Sequence, residues 1–109
     1  FKCSMEELIV KNFTNRILSV KPKINTIYLF GSRARGDEKP DSDYDFLLVV
    51  KESFTLDDKS KLYDAVLEIL LETGRVISLK IFKEKEFQRL CGMKTPFMQN
   101  IFKEGVKIE

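Results

Sequence analysis

Apolar residues recur at helical spacing near the start of the chain. Leu8, Ile9, Phe13, Ile17 and Leu18 would share one face, which predicts an amphipathic helix over residues 5–20. Ser4-Met5-Glu6-Glu7 has the form of a capping box at its start, and Pro22 closes it. Ile24–Phe30 is rich in Ile, Tyr, Leu and Phe and stops at Gly31, the pattern of a strand running into a turn. Residues 31–42 then carry two Gly, one Pro and six charged side chains, a long polar turn. Asp43–Val50 resumes as a strand whose second half is apolar on both faces, which predicts a central position in a sheet. Thr55 with Asp58 can cap a second helix, with Leu62, Ala65, Val66, Ile69 and Leu70 on one face and Gly74 ending it in the left-handed conformation. A third strand, Arg75–Phe82, follows at once. A short helix is expected around Lys85–Leu90, and another opened by Thr95-Pro96 and terminated by Gly105. The fold class expected from this order is α/β (α+β), with helices covering a small mixed sheet. No linker-like stretch or internal repeat breaks the chain, so residues 1–109 read as one domain.

Composition narrows the possible functions. Apolar residues make up 43%, including nine Phe, enough for a modest core and against disorder. The formal net charge of +2 announces no strong nucleic-acid footprint and no membrane-surface patch. The longest apolar run, Phe46–Val50, falls far short of the roughly 20 residues needed to span a bilayer, so no membrane segment is expected. Cys3 and Cys91 lack metal-ligand spacing and the chain has no His, which argues against zinc and haem. A lone pair of cysteines without a signal peptide reads as ordinary thiols, and the expected location is cytoplasmic.

The chemistry concentrates in two short stretches, Phe30-Gly31-Ser32-Arg33-Ala34-Arg35-Gly36-Asp37 and Ser42-Asp43-Tyr44-Asp45-Phe46. Side chains alternate across a strand, so Asp43 and Asp45 project from one face and can share a hard cation. Magnesium prefers oxygen ligands and commonly binds through one or two carboxylates plus substrate phosphates, so the pair suits a metal-triphosphate complex. Gly31 lets the backbone approach a phosphate closely, the amides of Gly31 and Ser32 can point at its oxygens, and the Ser32 hydroxyl adds a donor. Arg33 or Arg35 could supply charge to the triphosphate, though a solvated loop would contain them equally well. Asp37 and Asp41 read as turn-forming residues, and Ser42 and Tyr44 as a cap and a packing residue. Lys80, Lys83 and Lys85 read as a soluble surface.

A strand ending in Gly31-Ser32, ten intervening residues and then Asp43-x-Asp45 opening an apolar strand resembles the signature of the DNA polymerase beta-like nucleotidyltransferase superfamily. More narrowly, the chain is similar to the minimal nucleotidyltransferases, the MNT proteins encoded beside HEPN-domain partners. The specific match covers Leu29–Val50. The resemblance implies a nucleotidyltransferase fold, Mg2+ held by Asp43 and Asp45 as catalytic residues, and Gly31 and Ser32 on the triphosphate. It also implies transfer of a nucleoside monophosphate, AMP from ATP, to an acceptor hydroxyl on a HEPN-type toxin, the chain acting as antitoxin. One departure stands out. The family pattern places a third carboxylate on the strand after the second helix, whereas Arg75–Phe82 holds Ser78 and Lys80 on one face and no acid. The alternative is a catalytically impaired nucleotide-binding module that neutralises its partner by complex formation. Pro96, Phe97, Met98, Ile101 and Phe102 make the last helix apolar on two faces, one for the core and one for a partner or a homo-oligomer.

Overall fold

The computed structural model describes residues 4–30, 43–96, 98–99 and 105–107. Helix α1 spans Ser4–Arg16 and buries Ile9, Val10 and Phe13. It stops four residues short of the length its apolar spacing predicts. From Ile17 onward the chain makes tighter turns, with Ile17 N donating to Thr14 O at 3.3 Å, Val20 N to Ile17 O at 3.0 Å and Lys23 N to Val20 O at 2.9 Å. Pro22, inside the 3-10 turn Lys21–Lys23, has no N–H to continue an α-helix and disfavours the helical conformation in the residue before it. Ile17 and Val20 are buried all the same, because a three-residue turn preserves the alignment of positions i and i+3. The Ser4 capping box lies outside the described side chains.

Strands β1 (Ile24–Phe30) and β2 (Tyr44–Val50) pair antiparallel, with Leu29 opposite Phe46 and Phe30 opposite Asp45. Helix α2 (Leu56–Thr73) then carries the chain over to β3 (Ile77–Lys83), which lies parallel to β2. A two-residue strand, β4 (Val106–Lys107), adds to the free edge of β1, giving the order β3-β2-β1-β4. Thr55 caps α2: its hydroxyl oxygen accepts from Asp58 N at 3.1 Å, while Asp58 Oδ2 accepts from Thr55 N at 2.8 Å and from Lys23 Nζ at 2.9 Å. Gly74 closes the helix at φ 74°, its N–H donating to Leu70 O at 2.8 Å. Helix α3 covers Glu84–Met93. Residues 96, 98 and 99 are helical, Thr95 Oγ1 accepts from Met98 N at 3.3 Å, and Met98 is buried. Phe97, Ile101 and Phe102, the rest of the expected apolar pair of faces, lie outside the described residues, as does Cys3.

β2 is apolar throughout its second half because it is covered twice. Tyr44, Phe46, Leu48 and Val50 join α1, α2, Ile27 and Leu29 in the main core, where the Phe13 and Phe46 rings meet at 5.3 Å. Leu47 and Val49 face the other way, into a smaller cluster with Tyr28, Phe30, Phe82 and Phe87 of α3. Arg16 ties α1 to α2 through Glu68 at 2.9 Å and Glu72 at 2.6 Å. The outer side of α2 leaves Leu56, Tyr63, Leu67 and Leu71 exposed. No helix among the described residues is long and apolar enough to cross a membrane.

Candidate functional site

The alternation of β2 decides where the two acids lie. Even-numbered residues from Tyr44 to Val50 enter the main core, so Asp45 shares the opposite face with Leu47 and Val49, and Asp43 precedes it in step. The backbone is fixed at this point by the Tyr44 N–H, which donates to Val76 O at 2.9 Å. Further along, the same face is closed by Tyr28, Phe82 and Phe87. At the Asp45 end the apolar cover gives out: Asp45 is half-buried and Asp43 exposed. Two residues of extended strand separate their backbones by roughly 6.6 Å, close enough for one cation to take an oxygen from each.

The neighbours of Asp45 are set by register. Phe30, the last residue of β1, lies opposite it on one side and Ser78 of β3 on the other. Ser78 is half-buried and Lys80, one step further along the same face of β3, is exposed. Burial, and after it the charge of Asp43, pushes the Asp45 carboxyl above its ordinary value, while Lys80 draws it back down. Two carboxylates held this way repel one another, and a hard divalent cation would relieve both the repulsion and the burial cost. The donor set therefore fits magnesium.

Asp45 lies on the face that alternation predicts, and Asp43 is exposed immediately before the strand, where its charge acts on Asp45. Gly31, Ser32, Arg33 and Arg35 lie outside the described residues, although the chain leaves β1 at Phe30, directly beside Asp45. Strand β3 reads Ile77-Ser78-Leu79-Lys80-Ile81-Phe82-Lys83, without an acid, and Ser78 is its residue opposite Asp45. Lys80 is the residue that sequence reasoning placed on a soluble surface and the fold places at the acids. Alternation along β3 groups it with Ser78, but only the parallel pairing with β2 brings that face to Asp45. A cleft of ≈ 770 Å³ opens at the other end of the sheet, between the starts of α2 and α3, and includes neither acid.

Comparison with known proteins gives this geometry a context. The sequence profile of the family described as polymerase beta, nucleotidyltransferase matches residues 12–108. MJ0141 of Methanocaldococcus jannaschii, to which protein adenylyltransferase activity is ascribed, is 35% identical over 101 residues, covering 92% of this chain and 95% of its own. Among solved structures, a toxin-antitoxin with AMP-PNP shares the fold at TM-score 0.54 and 19% identity, over 94% of this chain and 70% of that one. A mutant of the toxin-antitoxin MntA-HpeT does so at TM-score 0.53 and 17% identity, over 94% and 70%.

Proposed function

The chain belongs to the polymerase beta nucleotidyltransferase family and is a nucleotidyltransferase; from that premise we propose that it moves AMP from magnesium-bound ATP to a hydroxyl of a partner protein, a HEPN-type toxin that it restrains as antitoxin. The observation that carries the reading is the placement of Asp45 on the second face of β2, with Asp43 exposed immediately before the strand, at the open end of an otherwise closed apolar surface and beside the end of β1. The adenylyl group is supported by the likeness to MJ0141, and the toxin partner by the likeness of fold to the MntA-HpeT pair. The exposed stripe of Leu56, Tyr63, Leu67 and Leu71 on α2 offers a partner apolar surface to cover.

Asp43 and Asp45 would hold the metal, which would supply positive charge to the triphosphate and to the oxygen that leaves. Gly31, Ser32, Arg33 and Arg35 contact the phosphates from the segment that follows Phe30. The acceptor oxygen forms a bond to the α-phosphorus as the bond from that phosphorus to the bridging oxygen breaks. Pyrophosphate leaves with that electron pair, and the hydroxyl proton passes to water at the exposed Asp43 end of the site. The rigid part of the site is the sheet itself: Asp45 is paired with a strand on each side, so the backbone from which its carboxylate projects stays in place while ligands come and go.

The lack of any acid on β3, where Ser78 stands opposite Asp45, favours a second reading in which the domain binds nucleotide and partner but transfers slowly. The protein purified with its partner, given magnesium and ATP labelled at either the α- or the γ-phosphate, separates the two. Adenylyl transfer puts only the α-label on the partner. An unlabelled partner in a stable complex supports the binding module, and γ-label on the partner contradicts both.

A further inference from the structure

The polar end of the face shared by β2 and β3 is unusual in its charges: one acid on β2 and another just before it, and on β3 a hydroxyl and an ammonium where a carboxylate would complete a second metal site. Two-metal transferases hold their ions roughly 3.5–4 Å apart, one on the attacking oxygen and one on the leaving oxygen, and each ion needs several oxygen ligands. Asp43, Asp45 and the neutral Ser78 hydroxyl can serve one ion together with the phosphates, and leave a second poorly held. Lys80 lies one step along the face from Ser78, level with Leu47. Its stem can lie over the apolar floor of Leu47 and Phe82 while its head stays in water, and from there it can swing over the acids. None of the ion pairs among the described residues, Arg16 with Glu68 and Glu72, Lys23 with Asp58, and Lys61 with Asp57, occupies Lys80. A divalent ion added on the β3 side would have to sit against that ammonium, at a Coulomb cost.

We propose that the Lys80 ammonium contacts the triphosphate in place of a second divalent ion, so that this domain works with one magnesium, held by Asp43 and Asp45. The inference rests on the proposed nucleotidyl transfer at that pair and specifies its metal requirement. The exchange is balanced in charge. Dropping one carboxylate removes a negative charge, and replacing a divalent ion by an ammonium removes a positive one, so the assembled site keeps its net charge. Lys80 thereby accounts for the missing acid: the site without a third carboxylate is a one-metal site with a built-in cation.

The test counts ions and measures nucleotide binding, without turnover. Mn2+ is titrated into the protein with AMP-PNP and followed by electron paramagnetic resonance, and AMP-PNP affinity is measured for wild type, Lys80→Ala, Lys80→Arg and Asp43→Asn/Asp45→Asn. The expected result is one Mn2+ per chain in wild type and in Lys80→Ala. AMP-PNP binding should weaken about 10- to 100-fold in Lys80→Ala, the usual weight of a charge-assisted contact, and be largely kept in Lys80→Arg. Lys80 is exposed, and the thermal melts of its variants should match wild type. Two Mn2+ in wild type, or undiminished AMP-PNP affinity in Lys80→Ala, overturns the proposal while leaving nucleotidyl transfer standing. Unchanged Mn2+ and nucleotide binding in the double aspartate variant instead overturns the metal assignment on which it rests.

Discussion

Asp45→Asn should separate stability from function. In the free protein the Asp45 carboxylate is a burden, since its burial and the charge of Asp43 disfavour the ionised form more than Lys80 favours it. Across roughly 6.6 Å of strand, in the water-like surroundings of the exposed Asp43, the repulsion alone is worth about 0.6 kcal/mol. Removing it should raise Tm by about 2–4 °C for a domain of this size, and relief of burial acts in the same direction. Ligand reverses the ranking. Magnesium with AMP-PNP at a hundredfold excess over Kd should stabilise wild type by about 2.7 kcal/mol, or about 10 °C, because only the folded state binds it. Asp45→Asn should show little of that gain, having lost a metal ligand. Differential scanning fluorimetry of both proteins, with and without magnesium and AMP-PNP, reads all four states. A free variant less stable than wild type by more than about 1 kcal/mol would refute the view that this carboxylate is kept for ligand at a cost to the fold. A ligand-induced shift as large as that of wild type would refute its place at the metal.

Three further predictions concern the scaffold. Thr55→Ala removes the acceptor for Asp58 N and should cost about 1 kcal/mol in urea unfolding. Gly74→Ala places a side chain at φ 74° with open space around it, so backbone strain alone sets the loss, about 1–2 kcal/mol, and Gly74→Asn should lose less. The Asp58 carboxyl is lowered to about 2, chiefly by Lys23 and then by the Thr55 N–H. Between that value and the ordinary carboxylate value near ~4, the unfolded chain binds more protons than the native one. The stability from Asp58 is therefore complete above pH ~4 and lost as the pH falls through about 2. Asp58→Asn should flatten that part of the acid unfolding curve, and an unchanged slope would contradict the assignment.

Much of the fold was legible wherever one physical signal dominated. Phe46–Val50 announced a strand covered on both sides, Thr55 and Asp58 a helix start, and Gly74 its end, and each is found. The overrun of α1 came from a spacing that α-helical and three-residue turns share, with Pro22 deciding between them. β4 was not legible, because two residues after a glycine carry no periodicity and owe their pairing to the exposed edge of β1. The same distinction governs the site. Asp43 and Asp45 are two residues apart where β2 begins, so sequence spacing alone groups them. Ser78 and Lys80 reach them only through a strand pairing formed across a helix, and that pairing is a property of the assembled sheet.

The most direct test of the account is transfer of label from ATP marked at the α-phosphate, with magnesium, in a lysate of the source organism, comparing wild type with Asp43→Asn/Asp45→Asn. The account predicts a protein band labelled by wild type alone, with the double variant folded and silent. Equal labelling by both proteins would contradict the assignment of Asp43 and Asp45, and no labelling by wild type with its partner present would contradict adenylyl transfer itself.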